Sequence, residues 1–329
     1  MEVWIHAFSF ARRVAPFARQ AEDSGFDGFL LADSQNLNAD IWVELALAGA
    51  ATERIKLGPG VTNPATRHPA VTASAAATLQ AETGGRAVLG LGRGDSALTQ
   101  LGHHPVSAAE LERALVEIQA YLRGEEIETN GTSASLRWLA DSEIAKVPVA
   151  VAASGPRVIE LAARHAERVD LTVGAEPDRL RWAIEVARGA GHASLGAFVN
   201  VAVHPDRSVA RDLVRGSTAI LARFATEGAP PDGLSAVTRE GIAEVASEYE
   251  ASRHGQGEAP HALHLEDEFI DRYAVVGAAD EVASRLAGLA ALGLDRIIVV
   301  PGSLDSAPDL LAESNARFAE DVLPALRAG

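Results

Sequence analysis

The sequence predicts an α/β fold: a closed (β/α)8 TIM barrel, one domain over residues 1–329, with insertions after strands four and seven at about 93–146 and 204–268. Three observations carry this expectation. Eight short apolar or β-branched runs recur along the chain, and segments with helical spacing separate most of them. A Gly-apolar-Asp-strand pattern at 25–31 returns at 293–299, as expected where a helix ends on a left-handed glycine and feeds a strand. Apolar strands separated by amphipathic helices call for a parallel sheet covered by helices, and eight such units favour closure over an open sheet.

In order, the strand runs are Val3 to Phe8, Phe26 to Ala32, Ile55 to Val61, Ala87 to Leu91, Val147 to Ala152, Val169 to Val173, Leu195 to Val203 and Arg296 to Val300. Two connections are longer than a simple βα unit requires. The first, from Gly92 to Lys146, contains a helix with Leu111, Leu115, Ile118 and Leu122 on one face, entered through Ser107 with Glu110 three residues later as a capping box. It goes on through Asn130-Gly131-Thr132-Ser133, which reads as a turn or short hairpin. The second, after strand seven, has helical material from Ser208 to Thr226, a break at Ala229-Pro230-Pro231-Asp232-Gly233, and a polar stretch at 252–261 that reads as mobile. Its histidines His254, His261 and His264 lack a strong metal-ligand spacing, so no metal is expected.

A chain of 329 residues, 47% hydrophobic, can bury a large core, and its net charge of −16 disfavours nucleic acid and anionic membrane as partners. Absence of cysteine removes disulfides, thiolate metal sites and a cysteine nucleophile. There is no apolar run of membrane-spanning length and no export-signal pattern at the start, so the expectation is a cytoplasmic protein. The two lysines, Lys56 and Lys146, both open strands, which argues against Schiff-base chemistry at the far ends of the strands.

In a parallel barrel the residues just after the strands share one face, where active sites are built. That rule selects His6 after strand one, Asp33 and Ser34 after strand two, Thr62, Asn63, Arg67 and His68 after strand three, and Arg93 to Ser96 after strand four. The strand-three exit, Leu57 to Pro69, holds two glycines and three prolines, a composition that makes a rigid but irregular platform. After strand five, Ser154-Gly155-Pro156-Arg157 places proline at a first helical position behind a serine and a glycine, an arrangement that offers donors and a helix dipole to an anion.

Four blocks in order, Ala32-Asp33-Ser34-Gln35-Asn36-Leu37, Leu57-Gly58-Pro59-Gly60-Val61-Thr62-Asn63-Pro64, Thr66-Arg67-His68-Pro69 and Leu89-Gly90-Leu91-Gly92-Arg93-Gly94-Asp95-Ser96-Ala97-Leu98, resemble the bacterial luciferase-like superfamily. Within it they are most similar to the deazaflavin-dependent branch typified by methylenetetrahydromethanopterin reductase. The resemblance runs on through Ala152 to Arg157 and Val275-Val276-Gly277 to the last strand, and is weakest between about Arg207 and Glu268.

The resemblance implies a barrel that binds F420, or alternatively FMN, at the ends of its strands. It implies a non-prolyl cis peptide at Gly60-Val61 behind the ring. It assigns the ring's neighbours to Asp33, Ser34, Gly60, Val61, Thr62 and Asn63, and the phosphate end to Ser154, Gly155 and Arg157 with Gly174 nearby. Some deazaflavin enzymes carry histidine where this chain has Ser34, so the proton donor is expected elsewhere: Asp95 first, His6 second. Three functions follow: an F420-dependent oxidoreductase moving a hydride to or from a small organic substrate, an FMN-dependent monooxygenase supplied by a separate flavin reductase, and a non-catalytic cofactor-binding barrel. A homodimer is implied as well.

Overall fold

The computed structural model describes residues 1–129, 131–140, 142–225 and 234–328. Eight parallel strands form the barrel: β1 (Glu2–Ala7), β2 (Gly28–Leu31), β3 (Lys56–Pro59), β4 (Leu89–Leu91), β5 (Val149–Ala153), β6 (Arg168–Leu171), β7 (Ser194–Val203) and β8 (Arg296–Val300). Each coincides with one of the apolar runs expected from the sequence. Their spatial order β3-β2-β1-β8-β7-β6-β5-β4 is held in register by pairs such as Trp4↔Gly28, Gly28↔Lys56, Glu2↔Arg296 and Leu89↔Val149. Two parallel bridges, Leu57↔Ala87 and Thr62↔Leu91, close the ring between β3 and β4. Closure there depends on glycine: a Cβ at Gly58 would lie 1.8 Å from the Val88 carbonyl oxygen.

Strand periodicity sorts the core. In β1, Val3 and Ile5 belong to the layer between barrel and helices, whereas Trp4 belongs to the cluster that also holds Leu30, Val88, Ala150, Phe198 and Ile298. Trp4 fills the lower barrel because β2 opposes it with Gly28, where a Cβ would come within 2.0 Å of the indole. Two residues on, the same alternation brings His6 to the upper end of the barrel.

The covering helices are α1 (Val14–Asp23), α2 (Ile41–Ala51), α3 (Pro69–Glu82), α4 (Asp95–Gln100), α5 (Ala108–Leu122), α6 (Pro156–His165), α7 (Pro177–Ala190), α8 (Arg207–Phe224), α9 (Ala236–Glu248), α10 (Pro260–Leu263), α11 (Asp267–Tyr273), α12 (Ala279–Ala290) and α13 (Pro308–Arg317). The expected capping box on α5 is present: the Glu110 N–H donates to Ser107 Oγ at 3.2 Å, and the Ser107 N–H donates to Glu110 Oε2 at 2.8 Å. Gly25 and Gly293, at φ 90° and 109°, end α1 and α12 as the repeated pattern implies.

The first insertion contains α4, α5 and a hairpin of Ile127–Thr129 against Thr132–Ala134. Asn130, part of the expected turn, lies outside the described residues, as does the break expected at 229–233. The second insertion runs from α8 through α11, and a short strand, Val275–Gly277, pairs with the overhanging end of β7. The 252–261 stretch differs from expectation: hydrogen bonds from Gly257 and Glu258 to Asp305 in the loop after β8 pin it, and Gln100 of α4 holds the adjoining Ala251. Among the described residues no helix is long and apolar enough to cross a membrane.

Candidate active site

A cavity of about 730 Å³ opens at the C-terminal ends of the strands. Its lining includes the upper residues His6, Ala32, Gly60, Gly92, Ala152, Thr172, Phe198 and Val300, drawn from all eight strands or their immediate exits. Loops contribute Asp33, Ser34, Val61, Asn63, Arg93, Asp95, Ser154, Gly155 and Arg157, and the second insertion contributes Ser217, Ile220, Leu221, Phe224 and His254. Thus one cavity gathers ten of the twelve residues that the sequence assigned to the cofactor or to proton donation. Thr62 and Gly174 do not line it.

Thr62 is fully buried and donates its hydroxyl to Asp33 Oδ2 at 2.6 Å. The same carboxylate receives Arg67 Nη1 at 2.6 Å and Gln35 Nε2 at 2.8 Å. Asp33 therefore ties the exits of β2 and β3 together, and its hydrogen-bonding capacity goes mainly to the protein. Beside it the Gly60-Val61 peptide is cis, as the resemblance implies. Asn63 Oδ1 accepts the Ala65 and Thr66 N–H groups, each at 3.0 Å, which leaves its Nδ2 buried without a protein partner among the described residues. A buried amide with an unused donor on a cavity wall is suited to a ligand oxygen or ring nitrogen.

His6 packs edge-on to Phe8 and Phe198, with ring centroids 6.2 and 5.8 Å away. Removal from water pushes its pKa down to about 4, with a hydrogen bond to the Gly60 backbone pulling the other way. The imidazole is therefore neutral near pH 7 and holds no stored positive charge to release. Asp95 moves in the opposite sense. Burial raises its pKa, against the attraction of Arg93 and Arg223, so it keeps its proton to higher pH than an ordinary aspartate. Of the two candidate proton donors, the electrostatics favour Asp95.

At the exit of β5, Ser154 Oγ donates to the Phe224 carbonyl at 2.8 Å, so its hydroxyl secures the end of α8 instead of facing an anion. Gly155 caps α6 ahead of Pro156, and Arg157 adds a cation where that helix meets the cavity. The first turn of α6 still directs unpaired N–H groups and a positive dipole outward. Gly174, at φ 80°, backs onto the Tyr273 ring, 2.6 Å from where a Cβ would stand.

Sequence reasoning missed Phe198, the α8 residues and His254. Phe198 was accessible from the alternation along β7, which turns it to the barrel interior with Ala202. No local signal marked His254.

A model of the family described as luciferase-like monooxygenase matches residues 3–296. The chain belongs to this family. A 5,10-methylenetetrahydromethanopterin reductase of Archaeoglobus fulgidus is 32% identical over 310 residues, covering 86% of this chain and 87% of the relative. An F420-dependent glucose-6-phosphate dehydrogenase of Microbacterium testaceum is 33% identical over 226 residues, covering 60% and 66%. The solved F420-dependent tetrahydromethanopterin reductase of Methanopyrus kandleri superposes with a TM-score of 0.77 at 24% identity, covering 99% of both chains, which establishes the shared fold. Membership in the family makes this chain an oxidoreductase by class.

Proposed function

We propose that this protein is an F420-dependent oxidoreductase that transfers a hydride between the deazaflavin and a small organic substrate. Asp95 is the observation that carries the reading: a carboxyl that burial makes hold its proton to higher pH than an ordinary aspartate, on the wall of a cavity large enough for a flat ring and a second small molecule. The relative named as an F420-dependent dehydrogenase supports the choice of deazaflavin over FMN.

The residues present fit such a cofactor. Gly60, Val61 and Gly92 form a wall without long side chains, and the spare Nδ2 of Asn63 can hydrogen-bond a ring acceptor. Asp33 and Thr62 brace that wall from behind, with Ser34 at its edge. Gly155 and Arg157 at the start of α6 suit the phosphate end, and Ser154 holds α8 against it. When bound, F420 supplies the hydride and its electron pair. Asp95 delivers the proton that a reduced carbonyl oxygen requires, and the neutral His6 anchors the reacting groups without adding charge.

Fluorescence quenching measures the cofactor choice directly. Purified protein is expected to bind F420 in the micromolar range or tighter and to bind FMN at least about tenfold more weakly. Tight FMN retention without F420 binding would assign the chain to the monooxygenase reading, with a separate flavin reductase as its partner.

A homodimer belongs to the same proposal, formed with a second copy through α2 and α3. Asp40 caps α2 by accepting the Trp42 and Val43 N–H groups at 3.0 and 3.2 Å, and apart from the buried Glu44 the helix then runs apolar. Val43 and Leu47, one turn apart, are 60% and 51% exposed; Val71 on α3 is 55% exposed, beside the small residues Ser74, Ala75 and Thr78. Small side chains next to unpartnered aliphatic ones allow two such helix pairs to approach closely. Light scattering is expected to give a dimer mass for the wild type and a monomer mass for the Val43→Glu, Leu47→Glu double variant. A monomeric wild type would refute the dimer.

A further inference from the structure

His254 comes from the second insertion, distant in sequence from the strand exits before it, yet it lines the cavity. Three tethers put it there. Gln100 Nε2, at the end of the helix that begins with Asp95, donates to the Ala251 carbonyl at 2.6 Å. The Asp305 carboxylate accepts the Gly257 and Glu258 N–H groups at 2.7 and 3.1 Å. The Leu304 N–H donates to the Gly255 carbonyl at 2.8 Å. A polar loop is thereby held firmly enough to present one buried imidazole.

The ring also has a defined tautomer. The Tyr249 hydroxyl lies 2.5 Å from His254 Nδ1. Burial pushes the tyrosine pKa up and the histidine pKa down to about 4, so both are neutral near pH 7; Arg223, with its guanidinium 4.4 Å over the Tyr249 ring, and His261 add to the lowering at His254. No other acceptor for the phenolic O–H lies among the described residues, so it donates to Nδ1 and the imidazole proton resides on Nε2. That Nε2 has no protein partner among the described residues, and His254 lines the cavity, in contrast to His261, which does not and whose Nδ1 accepts the Glu250 N–H at 3.2 Å.

We propose that His254 binds substrate, its Nε2–H holding the oxygen of a neutral carbonyl compound with a compact apolar body, and that Tyr249 is the positioning residue that keeps the proton on that nitrogen. This rests on the hydride-transfer reading above. The class follows from the surroundings: a donor without charge suits a carbonyl oxygen, and Phe198, Ile220, Leu221, Phe224 and Leu304 offer an apolar wall.

Cyclohexanone is a suitable probe, with cyclohexanecarboxylate as the anionic control, and ¹⁵N-histidine NMR of the full chain reads the ring itself. The wild type is expected to show His254 as the Nε2–H tautomer, with a saturable shift at Nε2 on adding the ketone. Tyr249→Phe is expected to release the tautomer into a mixture. His254→Leu should weaken ketone binding about tenfold, while His254→Gln, which retains a donor, stays within about threefold. An Nδ1–H tautomer in the wild type, no saturable shift, undiminished ketone affinity in His254→Leu, or tighter binding of the carboxylate overturns the proposal. F420 quenching in the same proteins is expected to be unchanged. Its failure in the wild type would remove the hydride-transfer reading while leaving the NMR result to stand on its own.

Discussion

Replacing Asp95 with asparagine is expected to lower kcat for F420-linked reduction by about 10² to 10⁴-fold, the span associated with losing a positioned general acid, with F420 affinity nearly unchanged. Asparagine keeps the shape and cannot give up a proton. The pH dependence follows from the direction of the shift. Burial raises the Asp95 pKa, so wild-type kcat for reduction falls as pH rises through that raised value, and Asp95→Asn loses this limb. Stability has a definite sign too. The folded state holds this proton more tightly than the unfolded chain, so the associated stability is fully present below the unfolded pKa and is lost as pH rises through the folded one. Asp95→Asn, with no charge to bury, should therefore gain in melting temperature over the wild type as pH rises through the raised pKa, a gain in stability at the expense of activity. Turnover that is unaltered across the pH range would remove Asp95 from catalysis and favour a non-catalytic barrel.

The largest stability effect is expected at the opposite end of the barrel. Arg296 and Asp170 form an ion pair whose side chains are 2% and 5% exposed, with Nη2 and Nε at 2.6 and 2.8 Å from Asp170 Oδ1 and Nη1 at 2.8 Å from Ser194 Oγ. Nearby, Arg168 stacks over Trp4 at 5.1 Å and reaches Glu2 only at 3.9 Å. Asp170→Ala leaves Arg296 buried without its counter-ion and beside a second guanidinium, which should cost about 3–5 kcal/mol. Urea unfolding measures this. Adding Arg296→Met is expected to recover more than half of the loss, because the uncompensated charge goes with it. A single variant within about 1 kcal/mol of the wild type would show that water or rearrangement satisfies Arg296.

Much of the site was legible because barrel geometry turns sequence position into spatial position. Once eight strands are located, the residues after them share one face, and His6, Asp33, Asn63 and Asp95 fall into one group without further information. Side-chain commitments were not legible. Asp33 and Ser154 were both expected to face the cofactor, yet Asp33 is tied to Thr62 and Arg67, and the Ser154 hydroxyl serves a carbonyl at the end of α8, 70 residues away. Nor does the composition of 252–261 reveal that the β8 exit pins it. Gly174, which the resemblance put near the phosphate end, is backed by the Tyr273 ring, a contact no local pattern showed.

The sequence by itself determined the eight βα units, their parallel closure, the end at which polar groups gather and the family. Those features are encoded locally, in apolar runs, helical spacing, caps and glycines that each act within a few residues. Only the tertiary structure decided which polar atoms remain free, which carboxyl has its pKa raised and what covers the cavity. These depend on desolvation and on hydrogen bonds between residues far apart in the chain, such as Gln100 to Ala251, whose partners meet only after the second insertion has folded back over the barrel.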